Sequence, residues 1–249
     1  MPKHDYLPFF PFPKIRKEQR EAIEFAIDAY ESGKRFVILE LGTGVGKSAT
    51  GIAIARYMET HGSSIKNDAG DPLTGAYIVT TQKILQEQYL RDFGPQCGKG
   101  IVRSIKSSSN YTCSFYSDQS CAESKRILTK LGKQLNGTEF QKHCKQQCKY
   151  SIEKQEFIDS PIAVTNFPYL LAESTYSGKL EPRAMLVVDE AHIGQHMREA
   201  GLARIPFRRH RAGIERSIMS VITGHSCPRR GWTGCAWAVS PAGTSSSRR

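Results

Sequence analysis

The sequence predicts an α/β fold: a parallel sheet covered by helices on both faces, interrupted by a cysteine-rich insertion. Three observations predict it. Short apolar, β-branched runs alternate with segments of helical period, the pattern of βαβ units. A glycine-rich loop follows the first such run directly. Five of the seven cysteines fall within residues 97–157, where that alternation stops.

The elements follow in order. In residues 15–34, Ile15, Ala22, Ile23, Ala26, Ala29 and Tyr30 recur at helical intervals and Gly33 supplies a stop. Residues 35–41, "RFVILEL", read as a buried strand. The loop comes next, then "KSATGIAIARYMETHG" as a helix. Residues 75–81, "GAYIVTT", are a second strand and 82–93, "QKILQEQYLRDF", an amphipathic helix. "SPIAVTN" (160–166) and "RAMLVVDE" (183–190) complete four expected strands. Residues 224–249 are rich in Gly, Ser, Arg and Pro without period, and are expected to be disordered.

The formal net charge of +11 is unevenly placed. Residues 201–249 hold nine arginines against one acid, Glu215, and residues 97–157 hold eleven Lys/Arg against five Asp/Glu. A basic segment beside a nucleotide loop suggests a polyanion partner, nucleic acid above all, although a solvated lysine-rich surface would show the same charge. No apolar run approaches the roughly 20 residues that span a bilayer. The start, "MPKHDYLPFFPFPK", lacks the apolar core and small-residue cleavage site of a signal peptide. A cytoplasmic protein is expected.

The loop is "LGTGVGKS", residues 41–48. Leu41 stands where the usual phosphate-binding pattern has glycine, but Gly42, Thr43, Gly44, Val45 and Gly46 still precede Lys47 and Ser48. Glycines let successive N–H groups turn toward a phosphate, and the helix N-terminus adds partial positive charge. Lys47 would reach the β and γ phosphates, and the Ser48 hydroxyl would ligate Mg²⁺. ATP with Mg²⁺ is the expected ligand. The second motif, "LVVDEAH" (186–192), ends an apolar strand. Asp189 would hold the Mg²⁺ shell there, and Glu190 would orient and deprotonate the attacking water. The alternative makes the two acids a charge pair at a helix N-terminus.

"ELGTGVGKS", "TTQKILQEQ" and "VVDEAH", in that order, resemble the superfamily 2 helicases, whose first motor domain is RecA-like. The resemblance implies several further roles. Gln19, in "RKEQREAI", matches the upstream glutamine motif that helps hold the nucleotide. Thr80, Thr81, Gln82 and Lys83 match motif Ia and would touch a nucleic-acid backbone. His192 would couple the nucleotide site to a second motor domain.

Cys113, Cys121, Cys144 and Cys148 lie between motifs Ia and II, as in the iron–sulfur helicases of the XPD/DinG group. By that resemblance they would bind a [4Fe–4S] cluster, and the enzyme would unwind DNA 5′→3′ from single-stranded or junction substrates. Four thiolates in a cytosolic chain fit a metal better than disulfides. Zinc remains open, because Cys₄, or Cys₃His with His143, satisfies its tetrahedral geometry. Cys97 is a spare ligand. Tyr111, Phe115 and Tyr116 would either stack on bases or cover the cluster.

The expected domains are 1–96 (first part of the RecA-like domain), 97–157 (iron–sulfur insertion), 158–195 (remainder of the motor domain), 196–223 (start of a helical arch) and the tail 224–249. Neither Ser/Thr-Ala-Thr nor Gln-x-x-Gly-Arg follows His192. The chain is therefore expected to be a truncated or frame-shifted helicase half that binds ATP and DNA but hydrolyses ATP poorly alone. A zinc-containing nucleic-acid-binding module with a vestigial ATP site is the alternative.

Overall fold

The computed structural model describes residues 3–34, 36–42, 44–61, 70–131, 139–174, 180–189, 217–222 and 234–239. These residues build a seven-stranded sheet from β1 (Phe36–Leu41), β2 (Ala76–Thr80), β3 (Arg103–Ser104), β4 (Ile162–Asn166), β5 (Met185–Asp189), β6 (Ser217–Ile222) and β7 (Gly234–Val239). The order is β3-β4-β2-β5-β6-β1-β7, with every pairing parallel except β1 with β7. The four expected strands are all present, each trimmed by one or two residues at an end.

Among the described residues seven α-helices accompany them: α1 (Lys17–Glu31), α2 (Lys47–His61), α3 (Lys83–Phe93), α4 (Cys121–Leu131), α5 (Glu139–Gln146), α6 (Lys149–Asp159) and α7 (Phe167–Ala172). Side chains alternate across a strand, so each apolar run feeds two cores. Ala76, Ile78, Ile162, Val164, Met185 and Val187 face one core with Ala22, Ile23, Ile27, Ile52, Ala53, Tyr89 and Phe93 from α1, α2 and α3. Their neighbours Tyr77, Val79, Ala163, Leu186 and Val188 face the other, with Tyr150 and Phe157 of α6, Phe167 and Leu170 of α7, and Cys121 and Cys148. The nucleotide-loop helix and the cysteine segment thus lie on opposite faces.

Three expectations need correction. The segment from 97 is not separate from the sheet, because Arg103 and Ser104 pair with Ala163 and Val164 as its edge strand. Val102, Ile105, Phe140, Tyr150 and Phe157 are buried there, so an apolar core also holds it. Residues 217–222, within the stretch expected to begin a helical arch, form β6 between β5 and β1. Residues 234–239, within the tail expected to be disordered, form β7 along β1. Pairing explains both: short apolar runs are ambiguous by period, and β1 offers ladder groups on both sides that a strand satisfies. The rest of 190–249 lies outside the described residues.

Among the described residues, no helix is long and apolar enough to cross a membrane.

Candidate functional site

Leu41 is the last residue of β1 and is buried, so it closes the strand rather than entering the loop. Gly44 and Gly46 both have positive φ, +78° and +89°, which glycine adopts without the penalty a β-carbon brings. Val45 N–H bonds back to Gly42 C=O at 3.5 Å, and the Thr50 N–H and hydroxyl meet Gly46 C=O at 3.2 and 3.4 Å. Lys47 and Ser48 open α2 and are half-buried. Thr43, Glu190 and His192 lie outside the described residues.

The start of α1 clasps this loop from outside. Gln19 is buried, its Oε1 accepting from Arg16 N–H at 2.9 Å and its Nε2 donating to Gly46 C=O at 3.3 Å. The Arg16 guanidinium donates to Gly44 C=O. Holding these two carbonyls from outside fixes the peptide planes of the loop, as a phosphate cradle requires. Gln19 was singled out from the sequence. Arg16 was not, although its place three residues before Gln19 at the helix N-cap was the available signal.

α2 lies close over β5: a β-carbon on Gly51 would sit 3.4 Å from Val187 Cγ1. Ser48 is one turn before Gly51, and Asp189 is two residues after Val187 on the same strand face. One helix–strand contact therefore draws Ser48 and Asp189 toward the same end of the sheet. Asp189 is buried, and its Oδ2 accepts from the Tyr89 hydroxyl at 2.9 Å. A hydroxyl at hydrogen-bond distance from a strand-end carboxylate orients that carboxylate.

The motif Ia residues divide. Thr80 is buried and donates to Gln82 C=O at 3.1 Å and Thr165 C=O at 3.5 Å, so it shapes the strand end rather than facing solvent. The Thr81 hydroxyl is buried without a hydrogen-bond partner. Gln82 and Lys83 are exposed, Lys83 donating to Asn110 Oδ1 at 2.8 Å. Gln86, which sequence reasoning passed over, is fully buried. It donates to Ser104 Oγ at 3.2 Å and Ile105 C=O at 3.1 Å and accepts from Asn166 Nδ2 at 3.1 Å.

On the other face the four cysteines converge as free thiols. Cys113 and Cys121 sit on two arms joined by a bridge between Thr112 and Ser120. Cys144 lies in α5, and Cys148 caps the N-terminus of α6. Cys121 Sγ and Cys148 Sγ are 4.0 Å apart. Burial, reinforced by the neighbouring Cys148 and Cys144 sulfurs, pushes the Cys121 thiol up to about 11 despite Lys125. Burial chiefly, with Cys148 and Cys113 beside it, raises Cys144 as well. Burial opposes ionisation of Cys148 too, but hydrogen bonds from Ser151 outweigh it and the thiol is lowered. Cys121 and Cys144, buried beside other sulfurs, thus resist becoming thiolates, a cost that a cation joining them would offset.

The donor set fits a sulfur-ligated metal. Zn–S bonds of about 2.3 Å place tetrahedral sulfurs about 3.8 Å apart, close to the Cys121–Cys148 spacing. Among the described residues, however, the one group of three or more possible ligands within 4.8 Å of one another is His4, Asp28 and Glu31. The four sulfurs as a set are therefore spread wider than a single tetrahedral ion requires. His143 Nε2 is engaged with Ser114 Oγ at 2.6 Å. The side chain of Cys97 is outside the described residues. Tyr111 packs edge-on to Tyr150 and donates to Glu153 Oε2 at 2.5 Å, which makes it part of the wall. Phe115 and Tyr116 remain exposed, packed edge-to-face on each other and against Phe140.

Comparison with known proteins gives one family. The profile described as ResIII, "Type III restriction enzyme, res subunit", matches residues 12–212. No curated protein matches the sequence. Among solved structures, "Crystal structure of T. fusca Cas3-ATP" is similar over 90% of this chain and 22% of that one, at 14% identity and a TM-score of 0.45. The chain thus spans about a fifth of that structure's length.

Proposed function

The chain belongs to the ResIII family, type III restriction enzyme res subunits, and from that premise we propose that it is the first motor domain of a superfamily 2 helicase, an ATPase acting on nucleic acid. The observation that carries this reading is the clasped loop. Two left-handed glycines are held by Gln19 and Arg16, directly ahead of Lys47 and Ser48, at the end of the sheet where Asp189 is buried.

In this reading the N–H groups of residues 42–48 and the Lys47 ammonium bind the triphosphate, and the Ser48 hydroxyl and Asp189 carboxylate hold Mg²⁺ and its waters. Glu190 takes a proton from the water that attacks the γ-phosphorus, and His192 links the site to a second motor domain. Gln82 and Lys83 meet the phosphate backbone of a single strand. The local excess of lysine and arginine in residues 97–157 supports strand binding through counterion release.

The finer assignment is to the iron–sulfur helicases, moving 5′→3′ on DNA. Cys113, Cys121, Cys144 and Cys148 would hold the cluster, and their bonds to it would tie the segment carrying α4, α5 and α6 together. The wide spread of the sulfur set supports a cluster over one ion. The 4.0 Å Cys121–Cys148 pair is the observation that favours the zinc alternative.

The test is titration of a fluorescent ATP analogue with Mg²⁺ into the wild-type chain and Lys47→Ala. The expected result is saturable binding lost at least about tenfold in the variant, since a charged hydrogen bond is worth about 1.5–3 kcal/mol. Equal binding by both proteins would overturn the reading.

A further inference from the structure

Tyr89 lies in α3, the helix whose N-cap is Gln82 and whose first residue is Lys83. Its hydroxyl donates to Asp189 Oδ2 at 2.9 Å, with both residues buried. One turn earlier on the same helix face, Gln86 bonds Ser104, Ile105 and Asn166. The inner face of α3 is thereby tied at successive turns to the ends of β3, β4 and β5. Its outer face is exposed at Gln82, Lys83, Glu87 and Arg91, with Ile84 66% exposed; there Lys83 is bonded to Asn110 and Glu87 is paired with Lys106 at 2.7 Å. A shift of α3 along its axis has to move the Tyr89 oxygen relative to the Asp189 carboxylate. Packed contacts of this kind exchange between discrete arrangements rather than deform smoothly.

We propose that Tyr89 is a positioning residue that couples strand binding at the start of α3 to the Mg²⁺-holding carboxylate of Asp189, so that single-stranded DNA and Mg²⁺–nucleotide each raise the other's affinity. The proposal rests on the assignment of Asp189 to Mg²⁺ given above. The hydrogen bond fixes the carboxylate plane through one oxygen, and that plane decides whether the carboxylate meets the Mg²⁺ shell squarely. A bond from a hydroxyl to an ionised carboxylate is of the stronger, charge-assisted kind. Strand contact at Gln82 and Lys83 biases the position of α3 and hence the plane. By linkage the effect runs equally in both directions.

The test compares the wild-type chain with Tyr89→Phe, which removes one oxygen and keeps the ring in its core. Affinity for a fluorescent ADP analogue is measured in EDTA and in Mg²⁺, each with and without a deoxythymidine oligonucleotide. The oligonucleotide is expected to tighten Mg²⁺–nucleotide binding of the wild type about fivefold and to leave metal-free nucleotide binding unchanged. In Y89F the enhancement falls below about twofold, while metal-free nucleotide affinity and oligonucleotide affinity persist, a split that general damage to the fold would not produce. Full enhancement in Y89F, or a wild type that binds both ligands independently, overturns the coupling and leaves the nucleotide site standing. A wild type that binds no nucleotide overturns both. A second measurement needs no variant: adding Mg²⁺ to the nucleotide-bound wild type slows amide exchange across residues 83–93, and an unchanged helix would refute the proposal.

Discussion

The Gln19 amide nitrogen donates to the carbonyl of Gly46 at 3.3 Å, and a β-carbon built on Gly46 would lie 2.5 Å from that same nitrogen. A side chain there therefore has to push the clasping amide of Gln19 aside. Gly46 carries a φ of +89°, so Gly46→Ala meets two penalties: left-handed backbone at about 1–2 kcal/mol and displacement of Gln19. Nucleotide affinity is expected to fall at least about tenfold. Gln19→Ala in the same chain removes the collision but leaves the backbone strain and takes away the clasp, so the double variant should recover little of the loss. Full recovery, read by fluorescent-nucleotide titration, would show that the collision alone matters.

Much of this site was legible because it is local. Gly42 to Ser48 and the run ending at Asp189 each declare themselves within eight residues, and the strands that carry them are short apolar runs. What was hidden is long-range. Tyr89 and Asp189 are 100 positions apart, and no spacing rule joins them. The two-residue edge strand Arg103–Ser104 is too short to show a period. In β6 and β7 the apolar runs are embedded in arginine- and glycine-rich sequence, and the sheet decides their conformation. The helical reading of residues near 217–222 failed for that reason.

Arg183 offers a prediction about stability alone. Its guanidinium donates to the carbonyls of Ala76 (3.1 Å), Pro161 (2.9 Å), Phe157 (3.3 Å) and Ile158 (2.9 Å), and lies 4.4 Å from the Tyr77 ring centroid. One planar fork thus ties the C-terminal end of α6 to the entries of β2 and β4. Arg183→Lys keeps the charge but not the fork. A loss of about 1–3 kcal/mol is expected on denaturant unfolding, from carbonyls left without their donor. Nucleotide affinity should be unchanged, since these carbonyls lie at the opposite strand ends from Asp189.

The N-terminal segment supplies a pH dependence. Asp28 Oδ1 lies 2.6 Å from Lys3 Nζ and 2.6 Å from His4 Nε2, and Glu31 faces the other His4 ring nitrogen at 3.4 Å. The Lys3 hydrogen bond first, and the His4 contact second, hold the Asp28 carboxyl below its ordinary range. A carboxyl lowered by folding stabilises the protein above its unfolded pKa, and that stability is lost as pH falls through the lowered folded value. Asp28→Asn should therefore lower Tm near neutrality, by an amount that shrinks once the pH drops below about 4. A Tm difference that persists unchanged in acid would contradict the assignment.

The cysteine cluster yields the prediction that best separates the two faces of the sheet. Cys121 and Cys148 pack with Tyr77, Val79 and Phe157, whereas α2 and its loop pack with Ile78, Val187 and α1. The sheet lies between them, so damage to one face reaches the other only through strand positions. If the proposed cysteine set holds a metal, Cys121→Ser abolishes its retention, because one of the four proposed sulfur ligands is gone, and exposes α4 and α5 to protease. Binding of the ATP analogue should change less than about twofold. Metal analysis of anaerobically purified wild type then identifies the occupant: about four irons per chain with visible absorbance mark a cluster, and one zinc in a colourless protein marks the tetrahedral site. A Cys121→Ser chain that keeps its metal would remove Cys121 from the ligand set. One that loses nucleotide binding together with its metal would show that the two faces fold as a single unit.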